Sequence, residues 1–276
     1  MRRNPSGALV GVVCVQMDPQ MLDLEGNLVR SASAVRQAVE AGASFVVLPE
    51  LVTSGYMFGS ADELQAVALG VDDARLDVWR RALAGSGALL VAGIAERGQD
   101  GNVYNSAVMF DATGVVTVYR KIHLWNREKR FFTPGRQAAP VIRTAHGMVG
   151  VLVCYDLEFP EMPRSLALRG ADLLLVPTNW GLLQRPDGES APQLLNARMA
   201  ARASHVFLAV CDRCGIERDQ RWTGGSAVVD PEGWVLSTPD SEGMALAWVD
   251  LAASRDRQLS EVNHMWGDRR PELYLS

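Results

Sequence analysis

Continuous apolar runs alternate with amphipathic segments along most of this chain, and this alternation limits the possible folds more than any other feature. Runs such as "ALVGVVCVQ" (8–16), "SFVVLPE" (44–50) and "ADLLLVP" (171–177) are apolar almost throughout, which is typical of strands buried on both faces. Segments such as "NLVRSASAVRQAVEAGA" (27–43) and "APQLLNARMAARAS" (191–204) have the apolar spacing of helices. Strands of this kind need a covering layer on each face, so we expect an α/β fold.

Short turns join some of the β runs directly, so the expected sheets are mixed rather than purely parallel. Residues 103–120 read as two strands around the turn "DATG", and a similar pair flanks "PEGW". A last helix is expected over "LAASRDRQLSEVN" (251–263). With neither a repeat nor an obvious linker, we predict one domain over residues 1–276, with residues 1–7 as a loose N-terminal tail.

Composition excludes several classes of function. The net charge of −5 and the pI of about 5.5 argue against a nucleic-acid surface. No apolar run approaches the roughly 18 residues of a membrane span, and Gln16 and Asp18 interrupt the N-terminal run that could otherwise suggest a signal peptide. The four cysteines are too few for a disulfide scaffold and predict reduced thiols in a cytoplasmic protein.

Three predicted strands end on residues that could act together. "FVVLPE" ends at Glu50, "VVTVYRK" at Lys121 and "GVLVC" at Cys154. Sites in such folds form outside the carboxyl ends of strands, so the three side chains could share one cleft. There a cysteine could attack a carbonyl carbon, a glutamate could accept the thiol proton, and a lysine could stabilise the oxyanion.

The segment after Cys154 favours a nucleophile over a core cysteine. "CYDLEFPEMPR" turns from a strand into a helix, whose N-terminus should lower the thiol pKa, and the Tyr155 N–H could be an oxyanion donor. Taken alone, each residue has an ordinary interpretation: a buried cysteine is commonly a small core residue, and a charged residue at a strand end is commonly solvated. The joint pattern is what favours a site.

The motifs "LPEL", "YRKIHLW" and "CYDLEFPE" resemble those of the nitrilase superfamily of carbon–nitrogen hydrolases. The resemblance extends through "FFTPG", "GADLLLVPTNW", "GGSAVVDPEG" and "RRPELY", and so covers almost the whole chain. It implies a four-layer α-β-β-α sandwich of two mixed β-sheets and a catalytic triad of Glu50, Lys121 and Cys154. It also implies a second carboxylate, Glu128, and a reaction that needs neither a metal nor an organic cofactor.

Two other residue types near these motifs are given lesser roles. His123 lies on the same strand face as Lys121, but the pattern identifies no partner for it, so we do not take it as the catalytic base; the family resemblance implies a structural role. Cys211 and Cys214 form a Cys-x-x-Cys without the second ligand pair that a zinc site needs.

The residues around the nucleophile favour an amidase that acts on a small linear carboxamide, possibly an ω-amino amide. The chain has Cys-Tyr-Asp where nitrilases proper usually have Cys-Trp-Glu, and Glu158 stands where many relatives have arginine. An N-carbamoyl amide hydrolase, a nitrilase proper and a catalytically silent binding protein are the alternatives. Residues expected to contact substrate are Tyr56, Trp125, Glu158, Asn179 and Trp180.

The family resemblance also suggests a homodimer. The helices "EMPRSLALRG" (161–170) and 191–204 would form the contact, with the C-terminal tail, residues 263–276, crossing to the partner subunit. The alternative is that these are ordinary amphipathic helices covering the sheet of a monomer.

Overall fold

The structure is a computed structural model that describes residues 8–274. The predicted loose tail at residues 1–7 lies outside the described residues, as do residues 275 and 276 at the end of the predicted C-terminal tail. The described part contains two six-stranded sheets and a short two-stranded hairpin.

The first sheet comes mainly from the N-terminal half of the chain. Its strands, in spatial order, are β14 (Met244–Val249), β1 (Val10–Val15), β2 (Phe45–Val47), β3 (Leu89–Arg97), β4 (Val103–Asp111) and β5 (Gly114–Arg120). The pairs β1–β2 and β2–β3 are parallel, and the others are antiparallel. Because β3, β4 and β5 form a meander, β5 runs in the same direction as β2, and both end at the same edge of the sheet.

The second sheet comes from the C-terminal half. Its strands, in spatial order, are β13 (Val235–Ser237), β12 (Ala227–Val229), β9 (Phe207–Cys211), β8 (Leu173–Pro177), β7 (Met148–Val151) and β6 (Val141–Arg143). The central strands β7, β8 and β9 are parallel, and the remaining pairs are antiparallel. The separate hairpin consists of β10 (Ile216–Glu217) and β11 (Gln220–Arg221).

Helices cover the outer face of each sheet. They are α1 (Leu24–Glu40), α2 (Ala61–Val67), α3 (Asp77–Ala82), α4 (Glu161–Leu168) and α5 (Pro192–Ser204). α1 and α3 pack on the first sheet, and α5 packs on the second beside α4. α1 begins where the Asp23 side chain accepts the Gly26 N–H at 3.1 Å, which satisfies one of the free N–H groups of its first turn. No helix within residues 8–274 has the length and apolar character that crossing a bilayer requires.

Strand alternation divides the apolar side chains between two cores. In β1, Val13 and Val15 pack with α1, whereas Val12 and Cys14 face the second sheet. All four side chains are buried, which explains why β1 is apolar at every position. The predicted α/β, four-layer α-β-β-α sandwich of two mixed sheets is therefore confirmed.

The predicted last helix is wrong. Residues 251–263 contain only a 3-10 helix, Leu251–Arg255, which begins where Asp250 accepts the Ala252 N–H. Beyond it Leu259 is 57% exposed and Val262 is 81% exposed, so this segment has no apolar face that a helix could bury. The prediction of one domain over residues 1–276 stays a prediction.

Candidate active site

Glu50 reaches its position because the chain after β2 crosses directly over β3. At the crossing point β3 has Gly93, where a Cβ would come within 2.5 Å of the Glu50 Cα. Only glycine permits this approach between the two backbones. The crossing carries the Glu50 side chain towards β4, where the Asn105 amide donates to Glu50 Oε1 at 2.7 Å.

Lys121 follows the last residue of β5 and points into the same buried space. Its Nζ donates to Glu50 Oε1 at 2.7 Å and to Glu128 Oε1 at 2.8 Å. The side chains of Lys121 and Glu50 are fully buried, and that of Glu128 is 2% exposed. The structure thus brings together one ammonium and two carboxylates in a space closed to solvent.

Glu128 turns inward from an otherwise exposed segment. It lies in a 3-10 helix, Asn126–Arg130, and its Oε2 accepts the Trp125 N–H at 3.1 Å. The Tyr56 hydroxyl donates to Oε1, the oxygen that also accepts from Lys121. The charged stretch "REKR" is therefore solvated except for its one acidic residue.

Burial and neighbouring charges set the protonation of these groups. Burial raises the pKa of Glu50 to about 7, against the opposing effect of Lys121. For Lys121, burial acts to lower the pKa, but the carboxylates of Glu128 and Glu50 outweigh it and raise the pKa above its ordinary value. Lys121 is therefore a fixed cation. Glu50 Oε2 is buried and accepts no hydrogen bond from the described residues, so it can take up a proton near neutral pH.

Cys154 lies at a sharp turn between β7 and α4. It begins a 3-10 helix, Cys154–Glu158, and its φ of 45° is unusual for a residue with a side chain. Its thiol lies 3.9 Å from the Asn179 carbonyl oxygen, and the Asn179 amide donates to the Glu50 carbonyl at 2.9 Å. Asn179 therefore joins the cysteine turn to the glutamate loop.

The expected direction of the Cys154 pKa shift is wrong. Burial raises the pKa of the thiol well above its usual value, and Glu50 raises it further, whereas Lys121 acts to lower it. The turn after Cys154 is a buried 3-10 helix, and α4 does not begin until Glu161, so any helix-dipole effect is outweighed. Cys154 rests as a neutral thiol and needs a base before it can attack.

Asp156, which the sequence analysis did not single out, holds the cysteine turn. It is fully buried and accepts the Val153 N–H at 3.1 Å and the Tyr119 hydroxyl at 2.8 Å. It also contacts Nδ1 of His123 at 2.8 Å. His123 is thus occupied by Asp156 and by stacking on Phe159 at 3.8 Å.

Asp212, also missed, fixes the segment that contains Asn179 and Trp180. It follows the end of β9, is fully buried, and accepts the N–H groups of Trp180 and Gly225, each at 2.8 Å. The same reasoning about charged residues at strand ends that identified Glu50 would have found Asp212 after "HVFLAVC". Trp180 itself is 4% exposed.

The remaining predicted residues lie around the cysteine turn. Tyr155 follows the cysteine, and its ring contacts that of Trp125 edge-on at 4.7 Å between centroids. Trp125 is half exposed, and Glu158 is exposed at the end of the 3-10 helix. The Arg164 guanidinium on α4 donates to the Ala203 carbonyl.

The sequence of this chain matches a known protein family over most of its length. The carbon–nitrogen hydrolase family model covers residues 11–259 of this chain. The chain belongs to the carbon–nitrogen hydrolase family. Among its relatives in this family, a nitrilase from Pyrococcus abyssi (strain GE5 / Orsay) is 37% identical over 271 residues, which cover 97% of this chain and all of the relative.

Solved structures of a carbon–nitrogen hydrolase agree in fold. A cysteine-to-alanine variant of the amidase from Nesterenkonia sp. AN1, in complex with butyramide, superposes with a TM-score of 0.74 and 30% identity, covering 92% of this chain and 96% of that chain. Another variant of the same amidase carries the acetamide moiety of fluoroacetamide on its active-site cysteine. It also superposes with a TM-score of 0.74 and 30% identity, covering 93% of this chain and 97% of that chain. This chain is therefore a hydrolase of the nitrilase superfamily.

Proposed function

We propose that this protein hydrolyses a small linear carboxamide to a carboxylate and ammonia through a thioester on Cys154. The observation that carries the proposal is the buried contact of Lys121 with both Glu50 and Glu128, joined to the cysteine turn through Asn179. A network of this kind supplies a base and a fixed positive charge beside a thiol.

In the first step the Cys154 sulfur attacks the amide carbonyl carbon while the thiol proton moves to Glu50 Oε2. The carbon–oxygen double bond becomes an oxyanion, which the Lys121 ammonium and the Tyr155 N–H stabilise. Glu50 then returns its proton to the amide nitrogen, the carbon–nitrogen bond breaks, and ammonia leaves. The raised pKa of Glu50, about 7, lets it hold and release this proton in turn.

In the second step water hydrolyses the thioester. Glu50 takes a proton from the water as its oxygen attacks the acyl carbon, and the same donors stabilise the second oxyanion. The carbon–sulfur bond breaks, the sulfur leaves as a thiol with the proton from Glu50, and the carboxylic acid departs. Glu128 acts on Lys121 in both steps by holding the ammonium in place.

Aromatic side chains near the site support a short aliphatic or ammonium-bearing substrate. The rings of Tyr155 and Trp125 meet at 4.7 Å, and those of Tyr56 and Trp222 at 5.4 Å. Such rings pack against methylene groups and attract cations through their faces. Butyramide, bound by the Nesterenkonia amidase variant, is a short aliphatic amide. The exposed carboxylate of Glu158 would favour an amine over an acid at the far end.

An ammonia-release assay tests the proposal and its substrate class. Short linear amides should be hydrolysed by the wild-type protein and not by Cys154→Ala, whereas nitriles and N-carbamoyl compounds should be poor substrates.

Two linear amides of equal length, one ending in an ammonium and one in a carboxylate, test which charge the site prefers at the end of the substrate away from the amide. We expect a higher kcat/KM for the ammonium, by a margin that shrinks with added salt. A preference for the carboxylate would overturn the amino-amide assignment, and carbon dioxide release would indicate a carbamoyl hydrolase.

A further inference from the structure

A carboxylate outside the catalytic group holds the backbone of the loop that contains Tyr56. Glu217, in β10, accepts the Tyr56 N–H at 2.8 Å and the Met57 N–H at 2.5 Å, both on Oε1. Glu217 is 4% exposed. Gly55 makes room for it, since a Cβ at that position would lie 2.7 Å from Glu217 Oε2.

Glu217 is itself fixed by a buried arginine. Its Oε2 accepts from Arg213 Nη1, and the Arg213 side chain is 1% exposed. Arg213 Nη2 donates to the Pro19 carbonyl at 2.9 Å and to Asp18 at 3.1 Å, and the guanidinium lies 4.8 Å from the centre of the Trp222 ring. One oxygen of the Glu217 carboxylate therefore binds Arg213, and the other binds the backbone of the loop that contains Tyr56.

The Tyr56 loop connects this ion pair to the catalytic group. At its far end the Tyr56 hydroxyl donates to Glu128 Oε1, which accepts from Lys121 at 2.8 Å. Burial, reinforced by Glu128, raises the Tyr56 pKa well above its usual value, so the hydroxyl keeps its proton and remains a donor. The path from Arg213 to Lys121 thus consists of successive polar contacts through Glu217, Tyr56 and Glu128.

We propose that Glu217, fixed by Arg213, is a positioning residue for catalysis: it holds the Tyr56 backbone so that the Tyr56 hydroxyl keeps Glu128 on Lys121. This inference rests on the proposed function, because it assigns Glu217 to the same amide hydrolysis. Nothing in the reaction requires Glu217 to touch the substrate. Its effect passes through the two N–H groups that it accepts.

Glu217→Gln and Glu217→Met separate positioning from general stability. The two side chains are similar in size, and both remove the buried carboxylate that accepts from Arg213 Nη1 and leave only the partly exposed Asp18 to pair with this charge, so both should lower Tm. Only glutamine keeps an oxygen that can accept from Tyr56 and Met57. We expect kcat/KM within about threefold of wild type for Gln and a fall of about tenfold for Met, the loss expected when the Tyr56 hydroxyl no longer holds Glu128.

A double variant, Arg213→Met with Glu217→Met, keeps the test decisive if the single Met variant does not fold. It removes both buried charges, and replacing a buried ion pair by apolar residues of similar volume is often neutral for stability. The Tyr56 N–H still lacks its acceptor, so the same loss of kcat/KM is expected. Adding Tyr56→Phe to this double variant should lower kcat/KM little further, because both changes break the same series of contacts from Glu217 to Glu128.

Arg218→Asn is the matched control in the same hairpin. Arg218 pairs with Glu63 at 2.7 Å and joins the hairpin to α2, away from the Tyr56 N–H. Asparagine tolerates the φ of 51° at this position, and wild-type kcat/KM is expected. Equal kcat/KM for the Gln and Met variants, additive effects with Tyr56→Phe, or an equal loss in Arg218→Asn would each overturn the proposal.

The rate at which iodoacetamide alkylates Cys154 separates this proposal from the proposed function. Slower alkylation is expected in Glu217→Met than in Glu217→Gln, since Lys121 acts to lower the thiol pKa only while it is held. If the wild type released no ammonia from any amide, the proposed function would fail, and the alkylation rates would still judge the positioning role. Equal alkylation rates in the two variants would contradict that role.

Discussion

Lys121 Nζ lies 2.7 Å from Glu50 Oε1, and both side chains are fully excluded from solvent. A buried pair of this kind contributes little net stability, because removing two charges from water offsets most of their attraction. Its presence is better explained by chemistry: the ammonium tempers the rise in the Glu50 pKa. In the proposed reaction the same ammonium would stabilise the developing oxyanion.

Replacing either member of the pair should remove most of the activity. We expect Glu50→Gln to lower kcat by about 10²–10⁴-fold and Lys121→Ala by about 10²–10³-fold. The double variant should lose less than the product of the two, because the groups act as a unit. Steady-state ammonia release measures all three, and near-normal turnover in either single variant would remove that residue from the site.

Glu96→Gln is the control for loss of a buried carboxylate. Glu96 is 4% exposed in β3 and pairs with Arg120 at 2.5 Å, but it does not contact Lys121. This substitution should lower Tm and leave kcat within about threefold of wild type, because the side-chain hydrogen bonds of Glu96 go to Arg120 and Ser106 and not to Glu50, Lys121 or Glu128.

Activity should rise with pH through about 7. Glu50 must be deprotonated to accept the thiol proton, and its pKa of about 7 makes the deprotonated fraction grow across this range. Burial also raises the pKa of Asp212 to about 7, so either group could produce this limb of the pH profile. If Glu50 is the titrating group, kcat/KM of Asp212→Asn should still rise with pH through about 7, although its absolute value is lower. If this rise disappears in Asp212→Asn, the titrating group is Asp212.

The same shift makes a prediction about stability. The ordinary pKa of Glu50 is 4.5 and the folded value is about 7, so the folded chain holds a proton that the unfolded chain has released between these pH values. Stability should therefore fall as pH rises from about 4.5 to 7. Thermal unfolding should show a smaller fall over this range for Glu50→Gln than for the wild type, and an equal fall would argue against the shift.

Glu128 and Tyr56 should have unequal effects on activity. Glu128→Gln removes one of the two charges that hold Lys121 and should lower kcat by about 10²-fold or more. Tyr56→Phe removes one neutral donor and should lower kcat by about tenfold, the equivalent of 1.4 kcal/mol. The comparison of kcat in the two variants checks this order, and the reverse order would mean that Tyr56 has a role beyond holding Glu128.

The predicted homodimer can be tested at α5. Met199 is 61% exposed there, and Leu195 and Leu168 of α4 are also exposed, which supports a contact surface. Light scattering should give a dimer for the wild type and a monomer for Met199→Glu. Val29→Glu, at a position 64% exposed on α1, is the matched control and should remain dimeric. A 30 kDa species for the wild type would contradict the prediction.

The layers of the fold could be predicted because strands buried on both faces and helices with one apolar face have clear sequence patterns. Glu50, Lys121 and Cys154 could be named because they stand at or just beyond strand ends. The close packing of the Glu50 segment on Gly93 could not, since it depends on how two backbones meet. The rise in the Cys154 pKa was missed for a related reason: burial at a turn is a property of the assembled sheets.

The measurement that tests the account most directly is the intact mass of the protein quenched in acid during turnover of butyramide. We predict an added mass equal to one butyryl group less the thiol hydrogen that it replaces, located on Cys154 by peptide mapping and absent from Cys154→Ala. Ammonia release should be lost in the same variant. Turnover of the amide by Cys154→Ala at a tenth of the wild-type kcat or more, or an acyl group on another residue, would contradict the account.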